Sequence, residues 1–196
     1  MHTVALHLSL DGKNVLIVGG GRVAMRKASS LLETGALLKI VASTVLPELQ
    51  LLASGSGFTI EMRDYSTADI KNVFMVIAAT NDRNVNKRIG DDCKSHGILV
   101  CIADNPSEGD CIFPAILRHG DLTVSVSTGG KSPGYAAFIR DRIATTIDCR
   151  YGKILDQLAI EREKLLTNWN GKTYNNEILQ NRVNELLNTT TLSEEA

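Results

Sequence analysis

Apolar residues alternate at the start of the chain. Val4, Leu6, Leu8 and Leu10 would share one side of an extended segment, which predicts a strand. Asp11-Gly12 then turns the chain. Asn14 to Val18 (N-V-L-I-V) is a short apolar run, typical of a strand covered on both faces, and Gly19-Gly20-Gly21 ends it. From Val23 to Glu33 the pattern turns helical, with Val23, Ala24, Ala28, Leu31 and Leu32 near one face and Gly35 placed to cap the end. Strand-like runs at 37–42, 58–62, 73–79 and 98–103 alternate with helical stretches at 46–53 and 82–95. Strand and helix in strict alternation predict parallel pairing, a Rossmann-like α/β sheet with helices on both faces.

The rhythm changes after Asp104. Ile112–Leu117 and Leu122–Ser127 read as two strands joined by the turn Arg118-His119-Gly120-Asp121. Thr128 to Pro133 is a glycine-rich loop, and a helix is expected from about Gly134 to Ile147. Arg150 to Leu187 has helical spacing, with stripes at Leu155, Leu158, Leu165 and Leu166, then Ile178, Val183, Leu186 and Leu187; Asn188 to Ala196 is expected to fray. The expected divisions are residues 1–111 for a nucleotide-binding domain, 112–148 for a dimerisation and substrate region, and 149–196 for a helical C-terminal part. A two-stranded hairpin is marginal by itself, so a symmetric homodimer is the expected way to cover the apolar positions Ile112, Leu117, Leu122, Val124 and Val126.

Composition narrows the function classes. The 196 residues carry 21 Lys plus Arg against 22 Asp plus Glu, a formal charge of -1, so no nucleic-acid partner is expected from whole-molecule attraction. No apolar run approaches the ~18 residues of a membrane span, and Met1-His2-Thr3-Val4 lacks a signal-peptide start, which gives no membrane partner and a cytoplasmic location as expectations. Cys93, Cys101, Cys111 and Cys149 form no C-x-x-C pair and are expected to be reduced and mostly buried; no permanent metal site is expected.

Gly19-Gly20-Gly21-Arg22-Val23-Ala24 fits G-x-G-x-x-A between a buried strand and a helix, the context a dinucleotide fingerprint requires. Gly19 permits a tight turn, Gly21 lets a pyrophosphate approach the backbone, and Ala24 lets helix and strand pack closely. The N–H groups of the first helical turn, around Arg22 and Val23, would face the phosphates, and the Arg22 charge would add to the helix dipole. The end of the second strand reads Val41-Ala42-Ser43-Thr44, without the carboxylate that usually holds an NAD ribose and without an arginine for a 2′-phosphate. The residues alone therefore leave NAD and NADP open, with Ser43 and Thr44 as the groups available to the ribose.

Six motifs in one order resemble the precorrin-2 dehydrogenase and sirohydrochlorin ferrochelatase family. They are Val15 to Ala24 with Arg26-Lys27-Ala28; Arg63-Asp64-Tyr65; Ile77 to Asp82 with Val85-Asn86; Ala103-Asp104-Asn105-Pro106; Phe113-Pro114-Ala115; and Val126 to Pro133. The likeness runs from residue 1 to about 145, and no counterpart of the fused methyltransferase follows, so the stand-alone form is expected.

The resemblance implies a cytoplasmic homodimer using NAD, with Ser43 and Thr44 beside the adenosine and Thr80 bordering the nicotinamide half. It implies oxidation of the tetrapyrrole precorrin-2 to sirohydrochlorin, with metal insertion as a possible second activity. It makes Asp104 the general base, a role that burial would serve by favouring the protonated form; the plainer role for that residue is to cap the turn into Asn105-Pro106. It also marks Thr128 as the counterpart of a phosphorylated serine in fused members. A substrate with eight carboxylates needs donors and cations. Thr128, Lys131, Ser132 and Pro133 are the candidate substrate loop, its backbone N–H groups a candidate anion nest, and Arg118, His119 and Arg140 further candidates.

Three competing readings remain at this stage. A nucleotide-sensing module of the potassium-transport type shares a glycine loop and a run like Ala78 to Asn86, but ends its second strand on an acid and has no counterpart of Ser127 to Pro133. A chelatase without dehydrogenase activity is the second. A small hydroxy-acid dehydrogenase is the third, and it would need a larger substrate domain than the residues after Asp104 supply.

Overall fold

The computed structural model describes residues 3–167 and 176–192. They form two compact units, Met1–Phe113 and Pro114–Ala196. In the first, β1 (Asn14–Val18), β2 (Leu37–Val41), β3 (Thr59–Glu61), β4 (Met75–Ala78) and β5 (Leu99–Ile102) make a parallel sheet in the order β3-β2-β1-β4-β5. The chain order reverses between β1 and β4, the crevice where open α/β sheets take their ligands.

The strands are apolar on both faces because both are covered. Val15, Ile17, Ile40, Met75, Ile77 and Cys101 pack toward α1 (Arg22–Leu31) and α2 (Pro47–Ser56), with Ala24, Ala28, Leu31 and Leu49 closing that side. Leu16, Val18, Val41, Val76, Val100 and Ile102 pack toward α3 (Arg83–Ser95) through Ile89 and Cys93. Burying one such side chain contributes about 1.5–3 kcal/mol, so these central strands anchor the unit. The expected helix 23–33 ends earlier as an α-helix. Leu32–Thr34 tightens into a 3-10 turn before Gly35, whose φ of 72° makes it a left-handed cap. Asp82 begins α3 by accepting the Asn84 and Val85 N–H groups. Gly90 keeps α3 close to the sheet, since a Cβ there would stand 2.7 Å from Ile102 Cδ1.

The expected first strand does not form. Residues 3–10 carry no regular structure, and Val4, Leu6 and Leu8 are 77%, 70% and 48% exposed; only Leu10 joins the core. Alternation specifies an apolar side, but a strand also needs a ladder partner, and no strand among the described residues pairs with this segment.

The second unit holds an antiparallel hairpin, β6 (Ala115–His119) and β7 (Leu122–Val126), followed by α4 (Pro133–Ala144), α5 (Cys149–Thr167) and α6 (Asn176–Leu192). The expected strand 112–117 is displaced: Arg118 and His119 belong to β6, because the turn is only Gly120-Asp121, with Gly120 at φ 60°. Gly152 of α5 packs so closely on the hairpin that a Cβ would stand 2.5 Å from His119 O. The stretch with helical spacing is two helices, with an Arg182–Glu161 ion pair between them at 2.6 Å. Among the described residues Ile154 and Leu186 are its buried apolar side chains, Ile154 lying outside the predicted stripes. Helix α6 runs on to Leu192, past the Asn188 where fraying was expected. The side chains of Leu165, Leu166 and Ile178, and the tail 193–196, lie outside the described residues. Cys93 and Cys101 are buried, Cys111 is half-buried and Cys149 is exposed, which corrects the expectation for the last.

Candidate functional site

The glycine loop forms the first wall of the site. Gly19 stands at φ 126°, and a Cβ on it would meet Ala79 O at 2.3 Å, so the loop crosses the end of β4 with no room for a side chain. Gly20 is as tightly held from the other side, 2.1 Å from Thr44 O by the same measure, and its carbonyl accepts the Leu46 N–H at 2.9 Å. Gly21 differs: nothing lies within 4 Å of its Cβ position. It is the N-cap of α1 and offers no side-chain cap, so the first-turn N–H groups of Arg22, Val23 and Ala24 open onto free space with the positive end of the helix dipole behind them. Two glycines build the turn and the third keeps the approach clear, which fits a pyrophosphate. Ser43 and Thr44 are exposed at the end of β2, beside Gly20.

Asn86 forms the second wall, and it is the only polar residue in the buried set of described residues, at 1% exposure. Its Oδ1 accepts the Thr80 N–H at 3.1 Å and the Thr80 hydroxyl at 2.7 Å. Its Nδ2 donates to Thr80 O at 3.1 Å and to Asp104 Oδ1 at 2.9 Å. Both lone pairs and both hydrogens of the amide are thus used, which fixes its flip and locks Thr80 to Asp104 across the ends of β4 and β5. Asp104 Oδ2 faces Arg83 at 3.7 Å, and Arg83 is itself tied to Glu108. Glu108 holds the Arg83 guanidinium above its usual range and is held below its own by the same bond.

The burial expected at Asp104 is absent: its side chain is 35% exposed, at the rim of the sheet. Asp104 does not cap the turn either, and the Asn105 side chain at the cap position bonds only to side chains. Asn105 Nδ2 donates to Glu108 and Asn105 Oδ1 accepts from Ser107, while the bonds of Asp104 run to Asn86 and Arg83. Gly19, Gly20, Gly21, Arg22, Val23, Ser43, Thr44, Thr80 and Asp104 therefore share one rim, the carboxyl ends of β1, β2, β4 and β5. Asn86, Arg83 and Glu108 complete it; Asn86 was quoted from the sequence only as part of a motif, without a role, and Arg83 and Glu108 were not singled out. A polar residue at a helix position otherwise facing the core, three before Ile89, was the available signal.

Thr128, Lys131, Ser132 and Pro133 lie in the second unit, between β7 and α4. Thr128 Oγ1 donates to Ser132 O at 3.0 Å and accepts the Ser132 N–H at 3.1 Å. Ser132 Oγ caps α4 through the Tyr135 N–H, and Pro133 begins it. The Gly129 and Lys131 N–H groups are engaged inside the loop, by Ser127 Oγ and Thr128 O. Lys131 is exposed. Arg140 is paired with Asp141 at 2.6 Å, and His119 Nε2 donates to Ile147 O at 3.0 Å.

The family model described as "Putative NAD(P)-binding" matches residues 6–115, more than half the chain and the whole of the rim. The chain belongs to this NAD(P)-binding family. A second model, "Sirohaem biosynthesis protein central", matches residues 119–146, which include β7, the loop after it and α4. Siroheme synthases of Ectopseudomonas mendocina (strain ymp) and Pseudomonas fluorescens (strain SBW25) are 42% and 37% identical to the chain over 154 residues, 79% of its length and 33% of theirs. The chain thus spans about a third of the length of these curated relatives. The solved structure of SirC, precorrin-2 dehydrogenase, superposes with a TM-score of 0.70 at 28% identity, covering 95% of this chain and 88% of that one. Among the described residues no helix is long and apolar enough to cross a membrane.

Proposed function

We propose that the chain is an NAD-dependent precorrin-2 dehydrogenase, oxidising precorrin-2 to sirohydrochlorin in sirohaem biosynthesis. The observation that carries this is the likeness to SirC along nearly the whole of both chains, joined to a rim that carries the glycine loop after β1 and a carboxylate after β5, with β4 between them. The pyrophosphate sits on the N–H groups of Gly21, Arg22 and Val23, the adenosine beside Ser43 and Thr44, and the nicotinamide toward Thr80. NAD⁺, when bound, supplies the hydride acceptor. Asp104 Oδ1 is committed to Asn86, so Oδ2 is the atom that takes the substrate proton. Arg83 lies 3.7 Å from that oxygen and helps to hold it in place. Thr128, Lys131, Ser132 and Pro133 hold the substrate's acidic side chains, with Lys131 the cation that no ion pair occupies in the described structure.

The reading includes a homodimer and a cytoplasmic location. Tyr135 and Phe138, 58% and 56% exposed and stacked with centroids 6.3 Å apart, support an interface on the second unit, and Ile116 adds to the same apolar exposure. Sedimentation of the purified protein tests it.

The decisive assay gives purified protein precorrin-2 and NAD⁺ and follows NADH absorbance. Product formation that Asp104→Ala lowers by about a hundredfold or more, with NAD⁺ affinity unchanged, is the expected result. Binding of NAD⁺ with no turnover at all would instead identify a nucleotide sensor. A parallel arm supplies sirohydrochlorin and ferrous or cobaltous ion without NAD⁺, and reads whether metal insertion accompanies the oxidation.

A further inference from the structure

Cys101 and Cys111 belong to no part of the proposed mechanism, yet the fold brings them together. Cys101 lies inside β5, opposite Ile77 and only 5% exposed. After Asp104 the chain turns back along β5. Asp110 and Cys111 both direct N–H groups to Val100 O, at 2.8 and 3.4 Å, and Asp110 Oδ2 accepts the Val100 N–H at 3.1 Å. Gly109 packs so tightly on this strand that a Cβ would stand 2.7 Å from Val100 O. The return packs Cys111 and Phe113 against the same buried cluster as Cys101, which puts the two thiols and the Phe113 N–H close enough to act on one another. Lys27 of α1 reaches the same place, its ammonium 4.1 Å from the centroid of the Phe113 ring and close enough to both thiols to act on them.

The two thiols are unequal. The hydrogen bond from Cys111, the Lys27 charge and the Phe113 N–H all favour the Cys101 thiolate and pull its pKa down against the opposing effect of burial. The same hydrogen bond, then burial, pushes Cys111 up. Burial lowers the pKa of Lys27, with the two cysteines opposing that shift. A thiolate stabilised by a cation, next to a protonated thiol in contact with it, is the arrangement of an attacking and a resolving cysteine. Cys111 is half-buried, which leaves a small oxidant a route to the pair.

We propose that Cys101 and Cys111 are a modification site at which hydrogen peroxide forms a reversible disulfide. The Cys101 thiolate attacks one peroxide oxygen; an S–O bond forms, the O–O bond breaks, and the departing hydroxide is protonated to water. The Cys111 thiol gives up its proton and attacks the sulfenic sulfur; the S–S bond forms, the S–O bond breaks, and the second water leaves. The two thiols lose two electrons and hydrogen peroxide gains them. A dithiol reductant restores the pair. The closed covalent ring runs from Cys101 to Cys111 and contains Asp104, so the modification staples the segment that carries the candidate base.

The inference does not rest on the dehydrogenase reading, and its test needs no turnover. The full-length protein is treated with hydrogen peroxide, and thiols are counted before and after dithiothreitol. The expected result is the reversible loss of two thiols per chain beyond that of Cys149, with a peptide joining Cys101 to Cys111 that is two hydrogens lighter than its two parts together. Cys111→Ser stops the reaction at a Cys101 sulfenic acid that dimedone traps; Cys101→Ser leaves no labelled Cys111. Lys27→Gln slows oxidation of the pair by about tenfold while the exposed Cys149, a residue of the other unit, reacts at its former rate. The proposal is overturned if both thiols still titrate after Cys149 is fully oxidised, or if the linked peptide joins either of them to Cys149. Should a serine variant fail to fold, the peptide map of the unaltered chain and the Lys27→Gln rate decide alone.

Discussion

Asn86→Asp probes the candidate site most directly, because it keeps the size of the side chain and inverts one of its two hydrogen-bonding ends. The native amide gives its hydrogens to Thr80 O and Asp104 Oδ1. An aspartate retains the acceptor that Thr80 uses and replaces both donors with an oxygen. Two carboxylates then face one another at the 2.9 Å now spanned by a hydrogen bond. At an effective dielectric of ~20, two full charges at that distance repel by about 6 kcal/mol. Asp104 is 35% exposed, and solvent screening cuts this to about 3 kcal/mol. That is worth about two pH units, so the folded pair holds one shared proton up to about pH 6, whereas unfolded carboxylates release theirs near ~4. The folded variant therefore binds more protons than the unfolded chain in that interval, and its stability falls as pH rises through it. The lost bond to Thr80 O adds about 1 kcal/mol at every pH. Urea unfolding followed by circular dichroism should show a deficit against the native protein of about 1 kcal/mol at pH 4, growing to about 4 kcal/mol at pH 8. Asp104→Asn in the same chain should lessen the growth, leaving the constant part and the pH dependence that burial of the new carboxylate brings by itself. A deficit that does not change with pH would mean that Asn86 does not hold the Asp104 carboxylate.

The glycine loop divides into positions that fold and a position that binds. Gly20→Ala drives a Cβ to 2.1 Å from Thr44 O and should cost about 1–3 kcal/mol in urea unfolding; an unchanged midpoint would contradict the close approach. Gly21→Asp enters open space at φ -90°, so unfolding should move by less than about 0.5 kcal/mol while NAD⁺ affinity falls by about tenfold or more in calorimetry; retained affinity would remove the pyrophosphate from this loop. Arg63 bonds Glu61 at 3.0 Å and Asp69 at 2.8 Å, and its guanidinium holds Asp69 below the usual carboxylate range. The stability that Asp69 lends is present above its unfolded value and disappears as pH falls through the lower folded one. Arg63→Gln should therefore be less stable than the native protein at neutral pH, with the gap closing in strong acid; a gap that persists undiminished would show that the cluster is not stabilising through Asp69.

Runs such as Asn14–Val18 and Leu122–Val126 were legible because burial on two faces, or pairing across a two-residue turn, leaves a pattern that no helix shares. The glycine loop was legible because a backbone that must approach both its neighbours and a ligand excludes side chains, and only one residue type satisfies that. What could not be read was relational. The segment around Val4 and Leu6 has the alternation of a strand and lacks the ladder that would make it one. Asn86 was visible as part of a motif but without a role, since nothing in its spacing reveals that four hydrogen bonds converge on it. The same holds for Cys101 and Cys111, ten positions apart in an unpatterned stretch, which become neighbours only because Gly109 lets the chain return along β5. Asp104 gains its partners the same way, from α3 rather than from the turn it begins. A strand's identity is set by its own residues, whereas the setting of a carboxylate at a strand end is set by whichever helix begins beside it. The motif around Asp104 therefore marked a residue of the rim but not its environment, in which an amide and a guanidinium hold the carboxylate and burial does not.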